Sequence, residues 1–450
     1  MKVLLTNCPT PDFIVKRFYL PLNLLYLSSA LKQQGILTRI YDHNIQNSEP
    51  LLKVITEFSP DLVGIGCMFS GHIDGVFKIS EMVKKLVNKP VVIGGIHPTL
   101  YYKEILTNCP SVDYVVLGEG EDTICRLCDF LNNKISICDI DGVAYRQNNK
   151  IAVQEKTQFL DVTKIAQPDY ASVNMDDYNQ PDSVNWRNYR GLLFDHSCPI
   201  ITSRSCPMRC NFCSMYLLMG KRLRKREPSE AVDEIELLYN KYGQRHFSIM
   251  DDNLTLDKKH VMGVCNEIVR RGLIIQFETP NGVYINSMDK EVVDALVEAG
   301  LTVVSLAVES GSEYIRNKIM GKKLSTEKIY EVVELCKQHR KELFVRVFFM
   351  IGMPEDTRET LQESYDMMVK IDVDKPIVTN LLPFAGTRLF EQCVKDNLLI
   401  NVDVDNLWKY ARFYFSGNKE FFVKPYNMTI EELNEFRNKF DKYINKREKL

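Results

Sequence analysis

Residues 199–213 read PIITSRSCPMRCNFC, a short apolar run that passes directly into three cysteines, Cys206, Cys210 and Cys213. The run is the first of six strand-like segments, near Ile200, Phe247, Gln276, Val303, Val345 and Val378, which alternate with helical stretches such as 229–242 and 325–339. In the first of those helices Ala231, Ile235, Leu238, Tyr239 and Tyr242 share one face, the stripe a helix needs to cover a sheet. Alternation of this kind specifies a parallel α/β sheet. Six βα units are fewer than the eight of a closed barrel, so residues 199–390 are expected to form a partial (βα)6 TIM-like barrel. Its active site belongs at the C-terminal ends of the strands, where the three cysteines stand.

Thiolates at this spacing are ligands for soft metals, and a [4Fe-4S] cluster takes one protein ligand per iron. Three cysteines leave one iron open to a substrate or cosubstrate. Two other readings stand beside this one. A zinc site would use Cys198 or His196 as fourth ligand, although the residues between Cys198 and Cys206 must then contain the strand end. Three unligated thiols in a loop would be exposed and prone to oxidation.

A chain of 450 residues exceeds one hydrophobic core. Upstream, KVLLTN, LTRIYD, DLVGIGC, PVVIGG and YVVLGE are five short strands separated by helices, for example 22–34 and 76–87. They predict a doubly wound parallel sheet, Rossmann- or flavodoxin-like, over residues 1–133. Ligands bind such sheets at the carboxyl edge, which here carries Asp42, Cys67, Met68, Phe69, Ser70, Gly94, Gly95, Gly118, Glu119 and Gly120. Residues 134–198 read as a linker or strap with a small hairpin, and 391–450 as a small α-rich extension. Its aromatic stretch 407–426 is either a cap over the barrel or a packed satellite. Cys125 and Cys128 form a CxxC, but they sit three apart in an apolar-periodic helix and are expected to fill a core. The basic run KRLRKR at 221–226 reads as a solvated loop or an anion site.

Apolar residues make up 45% and charged residues 26%, the balance of a globular protein. A net charge of -2 leaves no footprint for nucleic acid or an anionic membrane. The longest apolar runs fall short of the ~20 residues of a membrane span. Thirteen cysteines without framework spacing suit a reducing, cytoplasmic setting.

CxxxCxxC with an aromatic residue, Phe212, before the last cysteine resembles the signature of the radical S-adenosylmethionine superfamily. SIMDDNLT (248–255), ETPNGV (278–283), SLAVESGSEYIRNKIMGK (305–322) and FFMIGMPEDT (348–357) fall where that superfamily holds its cosubstrate. PLNLLYLSSALKQQG, DLVGIGC, VVIGGIHPT and VDYVVLGEGE are similar to the cobalamin-binding domain of its cobalamin-dependent class. The resemblance implies a [4Fe-4S] cluster, S-adenosylmethionine and cobalamin as cofactors, and cleavage of the sulfonium to a 5'-deoxyadenosyl radical. It implies amine contacts from Asp251, Asp252 and Asn253, where the family's Gly-Gly-Glu is replaced, with Asn281, Glu309, Ser310 and Arg346 on other polar groups, and Ile351 to Glu355 beside the adenine. Read as structure instead, the Asp pair caps a turn and Arg346 pairs with a barrel carboxylate. The family's cobalt-ligating D-x-H-x-x-G is DHNIQN here, so the resemblance implies cobalamin bound without a histidine ligand, its lower face left to Met68, Phe69 or His72, the last read as a solvated or hydrogen-bonded loop histidine.

The implied activity is methylation of an unactivated carbon of a small molecule or peptide, fed by an electron donor such as flavodoxin or ferredoxin. Methyl transfer across a contact distance further implies that the ligand edges of the two domains converge. Ring contraction or cyclisation is the alternative. Methylthio transfer is disfavoured, because strand two ends in Asp42 where a second cluster would take a third cysteine beside Cys8 and Cys67. Replacing Cys206, Cys210 and Cys213 together by Ala is expected to abolish bound iron and sulfide while leaving a folded chain. Stoichiometric iron after anaerobic reconstitution would overturn the assignment.

Overall fold

The computed structural model describes residues 1–9, 20–45, 49–67, 70–178, 197–409 and 420–447. The chain divides into two compact units. The first holds the described residues up to 178 with 217–220 and 403–409, and the second holds the remainder.

The first unit is a seven-stranded sheet: β1 (Lys2–Asn7), β2 (Leu37–Tyr41), β3 (Leu62–Gly66), β4 (Val91–Gly94), β5 (Tyr114–Val116), β6 (Val143–Gln147) and β7 (Lys150–Gln154), in the order β2-β1-β3-β4-β5-β6-β7. The first five are parallel, as their apolar runs require. The hairpin β6–β7 pairs antiparallel with β5 and so belongs to this sheet. The sequence-based boundary at residue 133 therefore cuts the sheet two strands early. Asn148 and Asn149, both with positive φ, make its two-residue turn, and Val143 and Tyr145 enter the same core as Val3, Leu5, Leu24 and Leu127. Cys125 and Cys128 lie in that core, as their helical spacing predicted. Beyond the hairpin a strap follows the first helix, Leu22–Gln33: Asp169 takes a hydrogen bond from Ser28 at 2.6 Å and an ion pair from Lys32 at 2.7 Å. The hydroxyl of Tyr178 then reaches Asp42 Oδ2 at 3.2 Å.

In the second unit β8 (Ser197–Ile200) leads through a short ribbon, β9 (Ser203–Arg204) with β10 (Arg224–Lys225), to β11 (His246–Ile249), β12 (Gln276–Val283), β13 (Leu301–Glu309), β14 (Phe344–Ile351) and β15 (Lys375–Asn380). Six strands form one parallel sheet in the order β15-β14-β13-β12-β11-β8. It is the open six-stranded array the βα count predicts. Helix starts are written in the sequence, since Asp257, Asp289, Ser325, Thr357 and Thr387 each accept a hydrogen bond from an amide of the turn they cap. Ala231, Ile235 and Leu238 of helix Pro228–Tyr242 are fully buried, while Tyr239 and Tyr242 stay half-buried at the rim. Ile235 and Leu238 each contribute roughly 1.5–3 kcal/mol, and the methyl of Ala231 less. The α-rich extension supplies helix Ile430–Arg447, whose Arg437 donates to the Val378 carbonyl of edge strand β15 at 2.6 Å. Of the aromatic stretch, Leu407 is buried and the Trp408 carbonyl accepts from His97 in the first unit, whereas Phe421 and Phe422 are buried in the second.

The ligand-edge glycines answer first to the protein. A Cβ on Gly95, at φ +114°, would lie 2.3 Å from the Cys67 carbonyl oxygen, whereas one on Gly94 would meet only Val116, at 3.5 Å. Gly95→Ala is therefore expected to cost at least about 2 kcal/mol with no cofactor present, and Gly94→Ala far less. Urea unfolding of the two variants checks the contrast.

Candidate functional site at the strand ends

Of the thirteen cysteines nine are buried and Cys138 is exposed; only Cys206, Cys210 and Cys213 are half-buried. Backbone bonds fix their loop. Asn211 N donates to Met320 O at 3.1 Å, Leu389 N donates to Asn211 O at 3.1 Å, and Cys213 N donates to Cys210 O at 3.2 Å. Ser205 and Arg209 turn the chain with positive φ. Phe212 packs against a core that includes Ile315, Met320, Met353 and Leu389. Burial pushes the Cys213 thiol up to about 12 and raises that of Cys210, so both are thiols until a metal displaces the proton. The three are free of disulfides and half-buried in one loop at CxxxCxxC spacing, and thiolate sulfur is the donor an iron-sulfur cluster takes.

The loop after β11 grips this one residue by residue. Asp251, 2% exposed, accepts from Thr202 N and Oγ1, each at 2.7 Å, and from Ser203 Oγ at 2.5 Å. Because the Thr202 hydroxyl donates to Asp251, His260 Nε2 must donate to it, at 3.0 Å; burial lowers the His260 pKa to about 4, which keeps the imidazole neutral. Asp252 accepts from Ser205 N at 2.8 Å, and its carboxyl is raised to about 6 by burial. Asn253 Nδ2 lies 3.8 Å from Cys206 Sγ, while its Oδ1 is buried with no partner among the described residues. Asn281, one strand over, donates to the carbonyls of Met250 and Asp251 at 2.9 and 3.3 Å. Asp251 and Asp252 thus hold the start of the cysteine loop, while Asn253 keeps a buried acceptor in reserve.

Arg346 stands third in β14 and Glu278 third in β12, away from the carboxyl ends, and they pair at 3.0 Å, with 6% and 2% of the side chains exposed. Ser248 donates to Glu278 at 2.7 Å and therefore accepts from Ser197. This is the barrel carboxylate that the sequence demanded for an Arg in an apolar strand; Glu278 itself carried the same signal, a charge inside QFETP. At the ends proper, Glu309 has φ +68° and pairs with Lys322 at 3.2 Å, and the buried Ser310 hydroxyl accepts from Ser312 N at 3.2 Å. Ile351 is fully buried. Glu355 accepts from Gln392 at 2.7 Å, and its Oε2 is buried without a partner among the described residues.

On the first unit, Asp42 is occupied by Asn7 and the Asn44 amide, both at 2.8 Å, and by Tyr178. Cys67 is fully buried. His72 is half-buried, and burial lowers its pKa and favours the neutral imidazole. Ser70 opens the turn Ser70–His72, while Met68 and Phe69 lie outside the described residues. Gly118 N is held by Thr99 Oγ1 at 3.1 Å, Glu119 accepts from Leu160 N at 3.0 Å, and a Cβ on Gly120 would press Leu27 at 3.2 Å. The glycines of this edge are explained by the protein's own packing.

The Radical SAM superfamily model matches residues 200–368 and the B12 binding domain model residues 15–128. An uncharacterized methyltransferase of Pyrococcus horikoshii, PH0819, is 31% identical over 412 residues, 90% of this chain and 85% of that one. The chain belongs to the cobalamin-dependent radical S-adenosylmethionine enzymes. The cytidylyl-2-hydroxyethylphosphonate methyltransferase of Streptomyces wedmorensis is 27% identical, with 88% of this chain and 82% of that one covered. Among solved structures, TsrM from Kitasatospora setae with cobalamin and a [4Fe-4S] cluster bound superposes with a TM-score of 0.72 at 21% identity, over 94% of this chain and 87% of that chain. OxsB with aqua-cobalamin and S-adenosylmethionine bound gives 0.75 at 17%, over 96% and 65%. At those identities the likeness is one of fold. No described helix is long and apolar enough to cross a membrane.

One residue missed in the sequence governs the β14 loop. Asp356 is fully enclosed and accepts from the amides of Gly352 and Met353 at 2.9 Å and from Thr360 Oγ1 at 3.2 Å. Burial raises its pKa to about 7 against the ordinary 3.8. A carboxyl raised on folding stabilises fully below its unfolded pKa, and that contribution is lost as pH climbs through the folded one. Relative to Asp356→Asn, the unaltered protein should lose stability between about pH 4 and pH 7, read as the difference in urea midpoint.

Proposed function

We propose that this chain is a cobalamin-dependent radical S-adenosylmethionine methyltransferase that methylates an unactivated carbon of a small molecule or peptide. The observation that carries the reading is the three-cysteine loop, clamped at the carboxyl edge of an open βα array in a chain that also matches a B12-binding domain. The names of the two relatives at 31% and 27% identity support it.

Cys206, Cys210 and Cys213 would hold the cluster, and the edge carrying His72 would hold cobalamin. When bound, these groups and S-adenosylmethionine supply hydrogen-atom abstraction and methyl donation. The chain's own part is placement and exclusion of water. Asp251 and Asp252 fix the cysteine backbone, and the reserved oxygens of Asn253 and Glu355 are acceptors for the amine and hydroxyl donors of the cosubstrate. Phe212 packs with the buried Met353, an apolar support that excludes water from beneath the strand ends.

A second reading, oxidative cyclisation, is favoured by one relative, the anaerobic magnesium-protoporphyrin IX monomethyl ester cyclase of Cereibacter sphaeroides, 26% identical over 82% of this chain and 59% of that one. The test is anaerobic turnover of reconstituted protein with trideuteromethyl-labelled S-adenosylmethionine, reduced flavodoxin and a cell extract. Methylation predicts 5'-deoxyadenosine and S-adenosylhomocysteine together, with a metabolite that gains the labelled methyl. 5'-Deoxyadenosine with a product that only loses hydrogen would move the assignment to cyclisation, and no 5'-deoxyadenosine would overturn both.

A further inference from the structure

The turn after β13 is built around a charge with no buried counter-ion. Arg316 lies in the π-helical turn Tyr314–Ile319 and is fully buried. The one carboxylate within salt-bridge reach among the described residues is Glu313, at 3.6 Å and 54% exposed. The guanidinium instead donates to Ser310 O at 2.6 Å, Gly311 O at 3.4 Å, Leu324 O at 2.7 Å and Thr326 Oγ1 at 2.8 Å. Burying a guanidinium is costly, and the cost is recovered only when good acceptors are already gathered around it. Its rigid fork then fixes those acceptors relative to one another.

What it gathers is the most constrained segment at the edge. The pairing register of β13 with β14 shifts between Ala307 and Glu309, and Glu309 is left-handed at φ +68°. Gly311 passes so close to helix Arg358–Ile371 that a Cβ would lie 2.5 Å from both Glu363 O and Ser364 Cα. Its amide donates to Ser364 Oγ at 2.9 Å. On the far side the same turn is tied to the cysteine loop through Met320 O and Asn211 N. Isolated π turns recur at functional sites, and a strained segment persists only where its surroundings over-determine it.

We propose that Arg316 is a positioning residue for S-adenosylmethionine. By collecting the Ser310 and Gly311 carbonyls it holds the peptide groups of residues 309–312 in a cosubstrate-binding arrangement without touching the cosubstrate. The inference rests on the function proposed above. A residue that merely stabilised the fold would lower the melting temperature and leave cosubstrate affinity alone.

The test uses the full chain, reconstituted anaerobically, as the unaltered protein and as Arg316→Lys, Arg316→Met and Thr326→Val. Thr326→Val removes one acceptor of the guanidinium and no charge, and keeps the question open should the Arg316 variants not fold. Four quantities are read: iron and sulfide content, melting temperature, the dissociation constant for S-adenosylhomocysteine by equilibrium dialysis, and KM against kcat for 5'-deoxyadenosine formation. The expected result is unchanged iron, a rise of about tenfold in Kd and KM for Arg316→Met, a smaller rise for Arg316→Lys and Thr326→Val, and kcat within about twofold. Unchanged Kd and KM with a lowered melting temperature would overturn the proposal. So would loss of iron, which would place the residue's action on the cysteine loop instead. If the unaltered protein fails to bind S-adenosylhomocysteine, both the functional reading and this inference fall, and that failure is recognised because it needs no substitution.

Discussion

The grip of Asp251 on Thr202 and Ser203 is the constraint from which the rest of the strand-end edge follows. A carboxylate 2% exposed is tolerated only with its acceptor sites filled, and the donors that fill this one belong to the first residues beyond β8. The register β8–β11 is thereby locked at the end where the cysteine loop departs. Asp252 and Asn253 continue the engagement to Ser205 and Cys206, and Asn281 braces the Asp251 backbone from β12. The loop is placed by a chain of contacts beginning two strands away, and no single link is a salt bridge.

The same device recurs wherever a loop must hold a fixed shape. Buried ionisable groups are turned onto backbone groups: Asp356 onto the amides of Gly352 and Met353, and Arg316 onto carbonyls around β13. In the first unit Arg146 gathers the carbonyls of Leu106 and Pro110, at 2.5 and 3.2 Å, and that of Val112. Charge-assisted bonds to backbone are short and directional, so they fix main-chain geometry more tightly than apolar packing does. Glu278 with Arg346 is the contrasting case, a true ion pair inside the barrel that closes its own charge balance.

Much of this architecture was legible in the sequence, and the limits follow a physical line. Strand order along the chain, the helix caps and the strand-end location of Cys206 to Cys213 rest on periodicity and local chemistry, which the sequence carries directly. The membership of β6 and β7 in the first sheet is different, because RQNNK announces a hairpin but not which edge it will cover. The side chains after β11 divide in the same way. Asp-Asp-Asn signals a polar turn, while the direction each side chain takes depends on a loop arriving from β8. Arg316 was hidden for the opposite reason: in EYIRNKIMG it reads as one more surface charge on a helix, and only the π turn directs it inward. Gly94 and Gly95 are indistinguishable as letters, yet the Cys67 carbonyl makes only the second indispensable.

The second unit's sheet has one further consequence, in time rather than in space. Its strands lie in the order in which they are synthesised, β8, β11, β12, β13, β14 and then β15, so each new strand finds its partner already made and no pairing waits for a distant segment. In the first unit β1 sits between β2 and β3, and its second neighbour comes late. Growth from β8 outward adds each strand to the one made just before it, domain elements forming as they are synthesised. Thr202, Asp251 and Asn281 are all present once β12 has emerged. The cysteine loop can therefore acquire its braces from β11 and β12 while β13, β14 and Arg316 are still to come, and those later strands then join an edge whose cysteine loop already has its shape.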